Sequence, residues 1–177
     1  MVLPTRLSSA KNVLEYGMTF AADAGGEHGW GCWYLDSATN TVYYAYGRWL
    51  PNQRTSAGVH ISVLELAALV GAQHSILRTL RDSIVCARTD NTQTESFVNA
   101  DWARGPRANR LLRHSQFYSA QMKTHMIARH IPGHKNPWSD NLSRGALMEF
   151  LRDLPTGMQA SRVCASKSFH RVLNSCF

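Results

Sequence analysis

The sequence predicts an α/β domain built around a mixed β-sheet. Three extended runs rich in aromatic residues follow one another, "GMTFAADA", "GWGCWYLD" and "TVYYAYGRWL", and the polar "SATN" between the last two is typical of a tight turn. A helix comes next, and beyond it strands alternate with helices, as in sheets whose parallel strands are joined by crossovers. We therefore expect three antiparallel strands followed by two parallel ones, with helices flanking the sheet.

The later elements are predicted in chain order from apolar spacing and helix-start signals. Apolar residues from Val63 to Leu77 recur at helical spacing and predict a first helix over about residues 62–81. The following segments indicate a buried strand "SIVCARTD", a helix beginning at "NTQTESFVNA", a basic helix "ARGPRANRLLRHSQFYSAQMK" and a fifth strand "THMIARHIP". One last helix spans "NPWSDNLSRGALMEFLRDL", with Asn136 as its N-cap and Pro137 in its first position.

Length and charge limit the classes of protein that fit. A chain of 177 residues, 44% of them hydrophobic, suits one compact domain. Its net charge of +7 favours polyanionic partners, nucleic acid first. No apolar run approaches the ~20 residues of a membrane span, and no secretion leader is recognisable. The cysteines lack the paired spacing of a zinc site, so we expect reduced thiols in an intracellular protein. We also expect the isolated domain to be monomeric.

Three segments are expected along the chain. Residues 1–16 carry little patterning and indicate an irregular lead-in, and residues 17–154 form the folded domain. Residues 155–177 contain Gly, Ser, Arg and Lys without strong periodicity, which favours a basic tail that is loosely docked or disordered.

Four of the twelve acidic residues lie beside apolar sequence. Asp23 ends the first strand, Glu65 interrupts "VLELAAL", Asp90 ends "IVCART", and Asp140 lies in the opening turns of the last helix. Each has a local alternative: a turn cap for Asp23, an arginine partner for Glu65, a helix cap for Asp90, and the helix N-terminus for Asp140.

Taken together, the four positions favour a metal site. Carboxylates beside a core are costly unless they are paired, hydrogen-bonded or bound to a metal. All four are expected at one end of the sheet, where they repel one another unless cations lie between them. Hard oxygen ligands suit Mg²⁺ or Mn²⁺, and two such ions about 3.5–4 Å apart are the arrangement that cleaves phosphodiesters.

The segments "FAADAGG", "SVLELAAL", "ARTDNTQT" and "HIPGHKNPWSDNLSR" resemble the four acidic motifs of the ribonuclease H family, particularly the reverse-transcriptase-linked domains of DIRS and Ty3 retrotransposons. The resemblance spans about residues 17–150. It implies an RNase H-like fold with a five-stranded sheet of order 3-2-1-4-5. It also implies cleavage of the RNA strand of RNA/DNA hybrids with two Mg²⁺ ions, for which Mn²⁺ substitutes, beside an adjoining reverse transcriptase domain.

The same resemblance implies roles for the site residues. Asp23 would bridge both ions, Glu65 and Asp90 would complete one, and Asp140 would belong to the other. His134 in "PGHKN" matches a histidine that assists proton transfer or product release. His130 is the competing candidate, although its place in a strand favours a packed or edge histidine.

Binding of the hybrid would use small and basic residues near these carboxylates. Gly25 and Gly26 would let backbone amides approach the RNA, and the short polar side chains of Asn91 and Thr92 suit hydrogen bonds in the minor groove. A basic series that recurs every three residues would follow the DNA phosphates, with a solvated helix face as the alternative. Its members are Arg104, Arg107, Arg110 and Arg113.

Two other functions remain open at this point. One is a catalytically silent module of the same fold that binds nucleic acid or scaffolds a polymerase, although such a module has no need of four clustered anions. The other is a different metal nuclease of the same superfold, such as an integrase or a Holliday-junction resolvase.

Overall fold

A single six-stranded sheet forms the centre of the protein in a computed structural model, which describes residues 17–177. The predicted lead-in, residues 1–16, lies outside the described residues. The strands are β1 (Gly17–Gly25), β2 (Gly29–Asp36), β3 (Thr41–Arg48), β4 (Ile84–Thr89), β5 (His125–His130) and β6 (Gln159–Arg162).

The strand order is β5-β4-β1-β2-β3-β6. The first three strands form an antiparallel meander, while β4 runs parallel to β1 and β5 runs parallel to β4. This confirms the predicted mixed sheet and the order of its first five strands. The sixth strand, β6, was not predicted; it adds to the edge of β3 in parallel.

Helices cover both faces of the sheet. They are α1 (Ile61–Gln73), α2 (Thr92–Ala100), α3 (Pro106–Met122), α4 (Pro137–Arg144), α5 (Leu147–Arg152) and α6 (Lys167–Cys176). The larger core packs one face of the sheet against residues of α1, α2, α3 and α6, with Phe20 and Trp30 near its centre. The smaller core joins Val42 and Tyr44 to Leu142 of α4 and Phe150 of α5. Since neighbouring residues of a strand face opposite sides, the two cores lie on opposite faces.

Two predicted helices end earlier than expected. The first ends at Gln73 and continues as turns, and the Ser75 hydroxyl donates to the Gly71 carbonyl at 2.5 Å, which offers the backbone a local alternative to the helix. The predicted last helix is two helices, α4 and α5, because Gly145 takes the left-handed conformation with φ of 77°. Helices commonly end at a residue in this conformation, and that residue is usually glycine.

The C-terminal residues are packed rather than loosely ordered. Residues 155–177, predicted to be a loosely docked or disordered tail, instead contain β6 and α6. In α6 the buried residues are Phe169, Val172, Leu173 and Cys176. Their spacing of three, four and seven residues from Phe169 is the apolar stripe of an amphipathic helix, a signal that the sequence did carry.

All four cysteines, which lie in the described part of the chain, are free thiols. Among residues 17–177, no helix is both long enough and apolar enough to cross a bilayer.

Candidate active site

An open cleft of about 610 Å³ lies at the carboxyl ends of β1 and β4. Because the two strands are parallel neighbours, Asp23 near the end of β1 and Asp90 directly after β4 reach the same end of the sheet. All four predicted carboxylates line this cleft. The other lining residues are Ala24, Gly25, Gly26, Glu27, His28, Thr55, Ile61, Asn91 and Arg144.

Three of the four carboxylates converge. Asp23, Glu65 and Asp90 each present an oxygen, and these oxygens lie within 4.8 Å of one another. Glu65 reaches the cluster from the second turn of α1, where its Oε1 accepts a hydrogen bond from the Ala24 amide at 3.3 Å. The cluster therefore joins two strands and the helix between them.

Burial makes this cluster electrostatically costly. Asp23 is 6% exposed and Glu65 is 4% exposed. Burial raises the pKa of Asp23 to about 6; the Ser143 hydroxyl opposes the shift and the charges of Asp90 and Asp140 add to it. Burial, followed by the charges of Asp23 and Asp90, raises the pKa of Glu65 well above its ordinary value. The cluster therefore favours bound protons or a bound cation.

The structure does not contain the turn cap at Asp23, the arginine partner of Glu65 or the helix cap at Asp90 that were the local alternatives. The turn after Asp23 is closed by the His28 amide on the Gly25 carbonyl at 3.0 Å. The cap of α2 is Asn91, whose Oδ1 accepts from the Thr94 amide at 2.9 Å, rather than Asp90. Within residues 17–177, Glu65 has no salt-bridge partner, and its Oε2 is buried without a hydrogen bond.

Helix α4 is held tightly against the end of β1. The Ser143 hydroxyl donates to Asp23 Oδ2 at 2.5 Å, and the Asn136 side-chain amide donates to the Ala22 carbonyl at 3.4 Å. Asn136 is therefore the N-cap by position only, since its side chain bonds to β1 instead of capping the helix. This close approach requires glycine at position 31, because a Cβ there would collide with Leu142 and lie 2.6 Å from the Ser143 nitrogen.

Asp140 differs from the other three carboxylates. It lies in the first turn of α4, and its Oδ1 accepts from Arg144 Nε at 2.7 Å. Asp140 therefore lines the cleft as half of an ion pair, outside the cluster of three.

The cluster fits a divalent cation. Its donors are all carboxylate oxygens, the set that Mg²⁺ and Mn²⁺ prefer. The unpartnered Glu65 Oε2 is a buried lone-pair site of the kind that a bound ion satisfies. Asp23, Glu65 and Asp90 are the residues that would hold it.

The predicted nucleic-acid contacts are distributed unevenly. Gly25, Gly26 and Asn91 line the cleft, whereas Thr92 is exposed at the start of α2. A Cβ at position 26 would lie 2.8 Å from Thr55 Cγ2, so this glycine also permits packing of the turn. The four arginines of the basic series lie in or before α3, and none of them lines the cleft. Arg110 donates to the Ser175 carbonyl at 3.5 Å.

Neither predicted histidine lines the cleft. His134 is exposed in a short 3₁₀ turn, Gly133–Lys135, and a Cβ at position 133 would lie 3.0 Å from Asp90 Oδ2. His130, exposed at the end of β5, has its Nε2 3.2 Å from the Asp90 carbonyl. The histidine that lines the cleft is His28, in the β1–β2 turn.

Three site residues were missed by the sequence analysis: His28, Ser143 and Arg144. His28 lies in the "GGEHG" segment, which begins two residues after Asp23. Ser143 and Arg144 follow Asp140 by three and four residues, and residues at that spacing share a helix face. Helical spacing from a predicted site residue was the available signal.

This architecture is the ribonuclease H fold. LC11-RNase H1, isolated from compost by a metagenomic approach, matches with a TM-score of 0.54 and 20% identity over 77% of this chain and 99% of that one. LC11-RNase H1 in complex with an RNA/DNA hybrid matches with a TM-score of 0.57 and 20% identity over 76% and 99%.

A third match is the N-terminal RNase H domain of rv2228c from Mycobacterium tuberculosis, with a TM-score of 0.53 and 16% identity over 71% of this chain and 95% of that one. No family model and no curated protein matches the sequence. At these identities the likeness establishes the fold, and the activity has to be argued from the cleft.

Proposed function

We propose that this protein is a ribonuclease H, an endonuclease that hydrolyses the RNA strand of RNA/DNA hybrids with a divalent cation. One observation carries the proposal: in an open cleft of a ribonuclease H fold, oxygens of Asp23, Glu65 and Asp90 lie within 4.8 Å of one another. Two of these carboxylates are buried, and neither has a cationic side chain paired with it in the described chain.

The chain's own residues would hold the cations and orient the scissile phosphate. Asp23 would bridge two Mg²⁺ or Mn²⁺ ions, Glu65 and Asp90 would complete one site, and Asp140 would serve the other. Bound cations of this kind lower the pKa of an attacking water and stabilise the leaving 3′-oxygen. The products would carry 5′-phosphate and 3′-hydroxyl ends.

Hybrid binding is supported by charge and by the shape of the cleft. The net charge of +7 favours a polyanion, and an open cleft admits a duplex whose minor groove displays 2′-hydroxyls on one strand. Gly25, Gly26, Asn91 and Thr92 would meet the RNA strand. The basic series from Arg104 to Arg113 would meet DNA phosphates further from the cleft. His134 would assist proton transfer or product release.

We further propose a retroelement setting for this nuclease. The support is the amino-acid sequence of two motifs, "TDNT" and "HIPGHKNPWSDNLSR", which resemble motifs of DIRS and Ty3 elements. The chain would then work inside the cell beside a reverse transcriptase domain and be monomeric in isolation. Size-exclusion chromatography with light scattering tests the last point, and a dimer would contradict it.

A substrate panel tests the activity. Labelled RNA/DNA hybrid, duplex RNA and duplex DNA are incubated with the protein and MgCl₂, alongside Asp23→Asn, which keeps the side-chain shape and removes the charge. We expect cleavage of the hybrid alone by the wild type and none by the variant. Binding without cleavage would favour a silent module. Preferred cleavage of duplex DNA would favour another nuclease of the superfold, and undiminished cleavage by Asp23→Asn would refute the site.

A further inference from the structure

Arg144 is the last residue of α4 and contributes the guanidinium that lines the acidic cleft. Its Nε donates to Asp140 Oδ1 at 2.7 Å, across one helical turn. Asp140 is thereby the one cleft carboxylate with a cationic partner among the described residues, whereas Asp23, Glu65 and Asp90 form the unpaired cluster.

The Arg144 charge acts beyond this pair. It lowers the pKa of Asp23, against the larger effect of burial, so the guanidinium offsets part of the negative charge of the cluster. The hydrogen bond and charge of Asp140 raise the pKa of Arg144 in turn. Arg144 thus supplies, on the Asp140 side of the cleft, the positive charge that a second cation would supply.

The ion pair between Asp140 and Arg144 is weak enough for a cation to displace Arg144. The Arg144 side chain is 61% exposed and the Asp140 side chain is 43% exposed. An exposed ion pair is weak, and its formation is favoured only about 1.4- to 5-fold over the separated charges. A divalent cation that binds Asp140 Oδ1 competes with Arg144 for that oxygen. The freed guanidinium is a planar fork that matches phosphate oxygens, and it lies at the cleft where the scissile strand would pass.

We propose that Arg144 is a built-in counter-ion that a divalent cation displaces from Asp140, and that the displaced guanidinium then binds a phosphate of the nucleic acid. The proposal rests on the proposed function for its second half. It predicts that one substitution has two opposite effects. Removing the guanidinium strengthens binding of the cation and weakens binding of the hybrid.

Titration of Mn²⁺ into the protein without nucleic acid tests the first half. Arg144→Gln is expected to bind the cation about 2- to 5-fold more tightly than the wild type, because Asp140 no longer has a competing partner. Arg144→Lys, which keeps the charge, is expected to lie close to the wild type. In an Asp140→Asn background the gain from Arg144→Gln should vanish, since the effect acts through that carboxylate.

Steady-state cleavage of the hybrid tests the second half. Loss of a phosphate contact that is made equally in the ground and transition states raises KM and leaves kcat unchanged. We expect Arg144→Gln to raise KM at least about 10-fold, the usual effect of losing a hydrogen bond to a charged group, with kcat within about 2-fold. Arg152→Gln is the matched control, because Arg152 pairs with Asp153 at 3.7 Å and does not line the cleft. It should change neither measurement.

Unchanged or weaker Mn²⁺ binding by Arg144→Gln would overturn the counter-ion role, and so would a gain that persists beside Asp140→Asn. A KM no higher than that of Arg152→Gln would overturn the phosphate contact. If the wild type does not cleave the hybrid, the proposed function fails. The Mn²⁺ titration still decides the counter-ion role in that case, and fluorescence anisotropy of labelled hybrid in MnCl₂, with Arg144→Gln against Arg152→Gln, decides the phosphate contact, because the hybrid then stays intact.

Discussion

The acidic cleft and the α6 contact join distant parts of the chain in opposite ways. The α6 contact is the packing of Phe169, Val172, Leu173 and Cys176 into the larger core, where the Phe169 ring lies edge-on to Trp30 at 5.1 Å. The cleft brings together carboxylates whose burial is opposed by their charge, whereas the α6 contact buries apolar surface, which is favourable.

This difference separates the residues of the proposed active site from those that stabilise the fold. Glu65 interrupts the otherwise apolar helix α1, and burial makes its charged form unfavourable. On the same helix, Gly71 leaves the space that Phe169 of α6 fills. Helix α1 therefore contributes residues to both regions. Functional sites commonly reduce stability in this way, and the surrounding core compensates.

The largest expected effect is on the α6 contact. Phe169→Ala should lower the free energy of unfolding by about 3–5 kcal/mol, because it removes a fully buried aromatic side chain and leaves a cavity. Below its lowered Tm, the variant should retain kcat. Chemical denaturation measures the change.

Phe117→Ala is the matched control, since Phe117 is 66% exposed. Its effect on unfolding should stay within about 0.5 kcal/mol. Equal effects at the two positions would mean that α6 does not pack as described.

Next in size is removal of the buried charge at Glu65. Glu65→Gln should lower hybrid cleavage by more than about 100-fold, since even residues that only orient metal ligands cost about 10- to 100-fold when mutated. In EDTA the variant should have a higher Tm than the wild type, because an unpaired buried charge is gone. Glu149→Gln, on the exposed surface of α5, should change neither quantity. A destabilised Glu65→Gln would contradict the assigned cost of the cleft.

A smaller effect is expected from moving α4 without touching a carboxylate. A methyl group in Gly31→Ala would meet Leu142 and Ser143, push α4 outward and shift Asp140 and the Ser143 bond to Asp23. Misplacement by about 1 Å can cost about 100-fold in rate, and we expect a loss of about 10- to 100-fold. Gly105→Ala is the control, because nothing lies near a Cβ at that position. Full activity of Gly31→Ala would show that α4 tolerates displacement.

The smallest expected effect is the pH dependence of the cation-free protein. The pKa of Asp23 is about 6 in the folded protein against an ordinary 3.8, so the folded state binds this proton more tightly than the unfolded chain. The resulting stabilisation is complete below pH 4 and is lost as the pH rises through 6.

In EDTA, the Tm of the wild type relative to Asp23→Asn should therefore fall by a few degrees between about pH 4 and pH 7. Mg²⁺ at pH 7 should raise the Tm of the wild type but not that of the variant, because a ligand that binds only the folded state stabilises it. A Tm difference that is constant across this range would contradict the account of Asp23.

Much of the cleft was predictable because its residues interrupt local patterns. Asp23 and Asp90 end apolar strands and Glu65 breaks an apolar helix, so each stands out in sequence. Parallel pairing of β1 and β4 then places two of them at one end of the sheet. The side-chain pairing of Asp140 with Arg144 was not predicted, since it depends on which of several partners a flexible charged side chain selects.

The α6 contact was missed for a different reason. Its apolar stripe is short, lies among Ser, Lys and Arg, and follows the last strand of the expected five-stranded sheet, so nothing in the expected topology required it. The edge of β3, which accepts β6, is also invisible to local patterns. Ser166, which caps α6 by accepting from the Phe169 amide at 3.2 Å, was the available signal for the helix start.

The cluster of Asp23, Glu65 and Asp90 is proposed to hold the cations with which the protein cleaves the RNA strand of a hybrid. The most direct measurement uses a hybrid whose RNA and DNA strands carry different end labels, incubated with the wild type in MgCl₂ and in EDTA. We expect cleavage of the RNA strand only, and only with Mg²⁺. Cleavage of the DNA strand, cleavage in EDTA, or an intact hybrid in the presence of folded protein and Mg²⁺ would contradict it.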